Sequence, residues 1–177
     1  KTPLRRALGA IAVAGILAVG TLFGPAPAEA RESGFQVSEL EDYAMVSKDV
    51  NGERWAMTYD LFDGTITGLR AKVLQDAGAY PILGAFLPYF TRTMAQGVYA
   101  IPLVEVNTQS VATNTTQTAA YRGAGRPEAT QMLERMIDIA ADELGIDAVE
   151  IRKRNFIPPE AFPLTTVTGA NYDVGEY

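Results

Sequence analysis

The sequence predicts an α+β fold, and three local patterns support that prediction. Alternating apolar residues over 66–73 favour a strand with one buried face. A β-rich stretch covers 98–113, and an apolar stripe at helical spacing covers 127–144. The chain has 177 residues, of which 47% are hydrophobic. This composition supports a packed core and excludes a disordered chain.

The first 30 residues have the pattern of a secretory signal peptide. Basic residues precede an apolar run over 7–24, and Ala-Glu-Ala at 28–30 is a small-x-small cleavage pattern. We therefore expect a signal-like helix over 1–30 that directs export to the periplasm or the extracellular space. Cleavage would follow Ala30, and an uncleaved segment would be the protein's contact with a membrane. A permanent anchor and a buried core helix are the alternatives.

Strand and turn signals follow an acidic segment, 31–62, to which we assign no function. Within it, 55–59 has the composition of a strand. Asp63-Gly64 is a tight-turn dipeptide of the hairpin kind, and 66–73 is the expected next strand. We expect residues 75–81 to end that strand, and 82–97 to form a long loop with a single helical turn.

The strongest helix prediction runs from Pro127 to Leu144. Pro127 suits the first helical position, and Gly145 suits a left-handed C-terminal cap. Asp147 with Glu150 resembles a capping box that opens a second, shorter helix. The predicted apolar stripe of the long helix consists of Ala129, Leu133, Met136, Ile137, Ala140 and Leu144.

The absence of two residue types excludes several chemistries. The chain has 0 cysteines and 0 histidines. Disulfides, zinc fingers, Cys-ligated iron–sulfur clusters and Ser-His-Asp triads are therefore excluded, and we predict no metal-ligating side chains. The net charge of −6 argues against a nucleic-acid partner. Redox chemistry would need a cofactor held by backbone, arginine, amide or carboxylate groups.

The candidate site is the glycine-rich loop that precedes the long helix. Glycines ahead of a helix N-terminus expose backbone N–H groups at the positive end of the helix dipole, which suits an anion or oxyanion. Arg122 and Arg126 add fixed positive charge and planar donor forks. From the residues alone, a glycine-rich turn with two solvated arginines is the alternative.

This loop closely resembles the active-site loop of molybdenum hydroxylase large subunits. Residues 120–129 read Ala-Tyr-Arg-Gly-Ala-Gly-Arg-Pro-Glu-Ala. The family comprises xanthine dehydrogenase, aldehyde oxidase and aerobic carbon monoxide dehydrogenase. The resemblance covers 63–177 and implies a partial molybdopterin-binding domain there. The flanking segments 68–80, 111–114, 137–141 and 150–158 agree in order and spacing.

The resemblance implies oxidation of a small substrate, such as an aldehyde or an N-heterocycle, with water as the oxygen source. The implied cofactor is molybdopterin cytosine dinucleotide with molybdenum. The implied partners are an iron–sulfur small subunit and a flavin medium subunit that carries FAD. Arg122 would be the catalytic residue that orients the substrate. The residues implied in cofactor binding are Gly123, Ala124, Gly125 and Arg126.

Departures from the family pattern limit what we expect of this chain. The copper-containing members resemble Ala-Tyr-x-Cys-Ser-Phe-Arg at this loop, and Gly123 takes the place of that Cys, which excludes a Cys-held copper. The family's molybdenum-contacting Gln loop and its catalytic Glu have no counterpart in the sequence. A signal-like leader is also unusual, since the family is typically cytoplasmic or membrane-associated. We expect a fragment that is incomplete as an enzyme; an exported non-enzymatic binding or remnant protein without cofactor is the alternative.

Overall fold

The computed structural model of the protein describes residues 35–40, 43–50 and 53–177, with side chains from Trp55 onward. The predicted signal peptide over 1–30 lies outside the described residues. Within the described part, no helix is both long and apolar enough to cross a membrane.

A five-stranded sheet in the order β1-β2-β3-β4-β5 is the framework of the described part of the chain. Strands β1 to β4 form an antiparallel meander, whereas β4 and β5 are parallel. The prediction of an α+β fold is confirmed. The strands are Phe35–Leu40 (β1), Tyr43–Val50 (β2), Glu53–Asp60 (β3), Ile66–Gly78 (β4) and Val104–Ala112 (β5), and a separate ribbon pairs Leu164–Thr165 (β6) with Asn171–Tyr172 (β7).

Two α-helices, α1 and α2, cover one face of this sheet. Helix α2 lies against β2 and β3, and α1 lies against β4 and β5. Because α1 and α2 also contact each other, both lie on the same face. The α-helices are Leu87–Met94 (α1), Arg126–Leu144 (α2) and Ala148–Asn155 (α3), and 3₁₀ turns span Leu83–Phe86 and Pro159–Ala161.

The core forms between the sheet and α2. Met57 of β3 and Leu69 of β4 are direct cross-strand partners, and both are buried. Met136 and Ile137 of α2 are fully buried against them in the same cluster. The predicted apolar stripe of α2 therefore faces the sheet, as its helical spacing requires. Gly145 ends the helix in the left-handed conformation, with a φ of +64°, which confirms the predicted cap.

Strand β4 is longer than the sequence predicts. The expected turn at Asp63-Gly64 does join β3 to β4, with the Gly64 N–H donating to the Asp60 carbonyl at 3.0 Å. The expected strand over 66–73 is too short, since β4 continues to Gly78, which lies within the segment 75–81 that is expected to end it. A bulge between Asp76 and Gly78 absorbs the irregular sequence, and β5 pairs with this extension.

The segment 82–97 is more helical than a loop with a single turn, and that expectation is wrong. Its 3₁₀ turn leads directly into α1, whose first turn contains Pro88. The helix exposes 58% of Tyr89 and 41% of Phe90. Its buried residues are Pro88 and Thr91, so the residue types in the sequence do not mark the inner face of this helix.

Helix α3 begins with the cap that the sequence predicts. The Asp147 carboxylate accepts hydrogen bonds from the backbone N–H groups of Val149 at 2.9 Å and Glu150 at 3.1 Å. The Glu150 carboxylate turns outward instead and pairs with Lys153 at 2.8 Å. Asp147 therefore caps the first turn of α3, but Glu150 does not make the reciprocal hydrogen bond of a capping box.

Candidate functional site

The predicted loop forms two overlapping turns immediately before α2. The Ala124 N–H donates to the Tyr121 carbonyl at 3.1 Å, and the Arg126 N–H donates to the Gly123 carbonyl at 3.2 Å. The φ angles are +94° at Gly123, +39° at Ala124 and +91° at Gly125. Values near +90° are readily adopted by glycine alone, so this backbone shape explains the two glycines of the loop.

The start of α2 offers several backbone donors. Its N-cap is Gly125, which provides no side-chain cap, and Pro127 has no N–H. Among the described residues, no acceptor faces the N–H groups of Gly123, Gly125 or Glu128. Donors at the positive end of a helix dipole attract an anionic group. The loop is thus electrostatically suited to an anion.

The two arginines of the loop have different environments. Arg122 is exposed and makes no hydrogen bond or ion pair with any described residue. Arg126 is also exposed, but its Nη1 donates to the Gly123 carbonyl at 3.2 Å. Arg122 therefore keeps its donor fork available for a ligand, whereas Arg126 uses one donor to close the loop on itself.

Direct backbone packing fixes the end of the loop against α1. A Cβ added at Gly125 would lie 2.5 Å from the Thr91 nitrogen and 2.6 Å from the Phe90 Cβ. No side chain fits at such distances, so glycine is needed here for space as well as for its φ angle. Helix α1, which the sequence did not predict, is thus one wall of the predicted site.

A cavity of about 490 Å³ lies between β4, α1 and the first turns of α2. Trp55, Leu87 and Met132 supply apolar lining, and Gln75 and Glu128 supply polar lining. None of the five predicted site residues lines this cavity. The loop and the cavity are therefore separate features.

The site lacks the side chains that hold metals directly. Within the part of the chain that the structure describes, no three His, Cys, Asp or Glu side chains come together as a possible metal site. The groups that the loop presents are backbone N–H donors and a guanidinium. Such donors bind anionic groups and polarised oxygens rather than metal ions.

Comparison with known proteins assigns the fold around this loop. Residues 55–156 match the family described as the molybdopterin cofactor-binding domain. The chain belongs to this family. The match begins within β3 and ends directly after α3, so it contains the loop, α1, α2, β4 and β5.

Curated relatives of this molybdopterin-binding domain are large subunits of molybdenum hydroxylases. A carbon monoxide dehydrogenase large chain from Hydrogenophaga pseudoflava is 40% identical over 119 residues, which are 65% of this chain and 15% of that one. Subunit gamma of a 6-hydroxypseudooxynicotine dehydrogenase complex from Paenarthrobacter nicotinovorans is 32% identical over 108 residues, which are 58% of this chain and 13% of that one. The chain therefore spans a small part of these relatives.

Solved structures agree with these relatives. Quinoline 2-oxidoreductase from Pseudomonas putida 86 superposes with a TM-score of 0.62 at 32% identity, over 72% of this chain and 16% of that chain. The resemblance to molybdenum hydroxylase large subunits, a family of molybdenum-dependent oxidoreductases, is confirmed. The roles of Arg122 and the four residues after it stay predictions.

Proposed function

We propose that this chain is the part of a molybdenum hydroxylase large subunit that holds the molybdopterin cofactor next to the reacting substrate. The observation that supports the proposal most directly is the loop before α2. It combines backbone donors that have no acceptor among the described residues with Arg122, whose guanidinium has no partner in that part of the chain.

The residues present fit a large anionic cofactor. Gly123 and Ala124 are half-buried and have at most a methyl side chain, so the backbone can approach the cofactor closely. The N–H groups of Gly123, Gly125 and Glu128 would bind its anionic or oxo groups. Arg126 would keep the loop closed through the Gly123 carbonyl.

The bound molybdenum cofactor would supply the oxidation of the substrate carbon, with water as the oxygen source. Arg122 would donate hydrogen bonds to a carbonyl oxygen or ring nitrogen of the substrate. Negative charge that develops on that atom would be stabilised by a guanidinium already in place, which is a preorganised electrostatic contribution. Because Arg122 has no ion pair with any described residue, it need not break one before it binds the substrate.

We further propose an aldehyde or N-heterocycle as the substrate class and the cytosine dinucleotide form of the cofactor. Gly123 and the absence of cysteine argue against a copper site held by Cys. The names of two relatives, which mention a pseudooxynicotine and a quinoline, support a nitrogen-containing substrate. An iron–sulfur small subunit and an FAD-containing medium subunit would remove the electrons.

Metal and pterin analysis tests the proposal. The chain is purified from cells supplied with molybdate, and molybdenum is measured by elemental analysis and pterin by fluorescence. We expect both above background, and their absence would favour the non-enzymatic alternative. In a molybdenum-loaded preparation, Arg122→Ala should weaken the binding of an aldehyde or N-heterocycle far more than it lowers molybdenum content, whereas Arg92→Ala, at an exposed arginine of α1, should change neither. Equal loss of substrate binding and molybdenum in Arg122→Ala contradicts the substrate role.

Export is a separate proposal that rests on the N-terminal pattern alone. Cleavage after Ala30 would leave a mature chain that begins at Arg31. Mass spectrometry of the secreted fraction measures this N-terminus directly. An intact Lys1 in that fraction contradicts cleavage.

A further inference from the structure

The carboxylate of Asp76 holds the segment that leads into the Arg122 loop. Its Oδ1 accepts a hydrogen bond from the Thr113 hydroxyl at 2.6 Å, and its Oδ2 accepts one from the Thr115 hydroxyl at 2.8 Å. Oδ1 also accepts from the Gly78 N–H at 2.8 Å. Both carboxylate oxygens are therefore used to join the end of β4 to the chain that leaves β5.

A second contact lies beside the first. The Gln75 Nε2 donates to the Gly84 carbonyl at 3.1 Å and to the Thr118 hydroxyl at 3.3 Å. The backbones of Gly84 and Thr118 are so close that a Cβ added at Gly84 would lie 2.3 Å from the Thr118 carbonyl oxygen. Thr118 precedes Arg122 by four residues, so this contact lies directly upstream of the loop.

The short stretch between Thr118 and the turns of the loop has little support of its own. Among the described residues, no backbone hydrogen bond outside helices and strands involves residues 119 or 120. The next tight contact is that of Gly125 with Thr91. Arg122 thus lies between the contact of Gly125 with Thr91 and the upstream contacts of β4. The upstream contacts also include two backbone hydrogen bonds, from the Thr113 N–H to the Gly78 carbonyl and from the Ala79 N–H to the Thr115 carbonyl, both at 3.1 Å.

We propose that Asp76, assisted by Gln75, is a positioning residue for Arg122. Asp76 makes no hydrogen bond or ion pair with Arg122 or any other residue of 121–126; it acts through Thr113 and Thr115, whose segment continues into the loop. The hydrogen bonds from Thr113, Gly78 and Thr115 also lower the pKa of Asp76, so the ionised acceptor is present near neutral pH. The importance of the loop rests on the proposed function, but its placement is measurable without cofactor.

Cofactor-free protein of the full 177 residues allows the test. Trypsin cleaves after Arg122, while the Arg126–Pro127 bond resists it, so the rate of this cut reports how freely the loop moves. We expect Asp76→Ala to raise that rate about tenfold, the factor that corresponds to about 1.4 kcal/mol. Asp76→Asn retains one acceptor oxygen and should give an intermediate rate. Hydrogen exchange should quicken over 113–125 and stay unchanged over the α2 core, 132–141.

Asp63→Ala is the matched control, because Asp63 is also an exposed turn carboxylate that accepts a backbone hydrogen bond, from Thr65 at 2.8 Å. It should leave cleavage after Arg122 unchanged. An Asp76→Ala protein cleaved at the wild-type rate overturns the proposal, and so does equal acceleration of exchange in the loop and in α2. If Asp76→Ala does not fold, Thr115→Val is judged by the same two criteria. Since no cofactor is added, failure here is distinct from failure to bind molybdenum.

Discussion

The side-chain oxygen of Asn155 accepts a hydrogen bond from the backbone N–H of Ile66 at 2.7 Å, although 89 positions separate them. The Asn155 Nδ2 donates to the Gly64 carbonyl at 2.9 Å and to the Ile151 carbonyl at 2.8 Å. Only 4% of Asn155 is exposed, so water does not replace these partners. One side chain at the end of α3 therefore fixes the turn before β4 and the first residue of that strand.

Asn155→Ala should be among the most destabilising single substitutions outside the apolar core. It leaves the Ile66 N–H and the Gly64 carbonyl without this buried partner, and we expect a loss of about 2–4 kcal/mol in the free energy of unfolding. Urea unfolding measures it. Asn171→Ala is the control, since Asn171 accepts from Thr165 at the surface and should cost about 0.5 kcal/mol or less. Equal losses of unfolding free energy would show that the buried hydrogen bonds of Asn155 stabilise the fold no more than the exposed one of Asn171.

Two glycines with the same φ angle allow the cost of backbone strain to be measured apart from the cost of a steric clash. Gly125 and Gly169 both have a φ of +91°, but nothing lies within 4 Å of a Cβ added at Gly169. Gly169→Ala should therefore cost about 1–3 kcal/mol from strain alone. Gly125→Ala should cost clearly more, because its Cβ would collide with the backbone of Thr91 in α1. Thermal or urea unfolding of both variants compares them, and identical losses would contradict the packing of the loop against α1.

The parts of the fold that sequence predicts are those with local signals. Pro127 and Gly145 mark the ends of α2, and the apolar spacing between them marks its buried face, so the helix follows from one stretch of chain. The loop before it is equally local, since two glycines and two arginines directly precede Pro127. A left-handed backbone conformation favours glycine, and the first turn of a helix favours proline, so both features can be recognised in the sequence itself.

The remaining parts depend on distant partners. The pairing of β4 with β5 extends β4 to Gly78, and nothing near Gln75 signals this. The hydrogen bond between Asp76 and Thr113 joins residues 37 positions apart. Because the partner is so distant in the chain, Asp76 resembles an ordinary turn residue when only the nearby sequence is considered. An Asp two residues before a Gly, together with a Thr-x-Thr pair after a predicted strand, is the signal that would have suggested a contact.

Tyr99 should make the stability of the fold fall at high pH. Burial raises its pKa above the usual 10.0, and the hydrogen bond that its hydroxyl donates to Glu134 at 2.8 Å raises it further. Above pH 10 the unfolded chain loses this proton while the folded protein keeps it. The free energy of unfolding should therefore fall with rising pH, by about 1.4 kcal/mol per pH unit from this group.

Tyr99→Phe should remove this part of the pH dependence while lowering stability at neutral pH through the lost hydrogen bond. Urea unfolding between pH 8 and pH 11 (about the range in which tyrosine titrates) shows the slope. Some slope should persist because burial also raises the pKa of Tyr172. Tyr121→Phe, at a residue that is 90% exposed, should keep the full slope. A Tyr99→Phe protein with an unchanged slope would contradict the assignment.

Substitutions of Arg126 and Arg122 should have different effects on the opening of the loop in cofactor-free protein. Arg126 closes the loop through the Gly123 carbonyl at 3.2 Å, and one such bond is worth about 1 kcal/mol, or about a fivefold change in local opening. Arg126→Ala should therefore quicken hydrogen exchange at 121–125 by about that factor. Arg122→Ala should leave it unchanged, because Arg122 holds no described residue. Equal exchange in the two variants would show that the Arg126 contact does not close the loop, and would leave both guanidiniums available for a ligand.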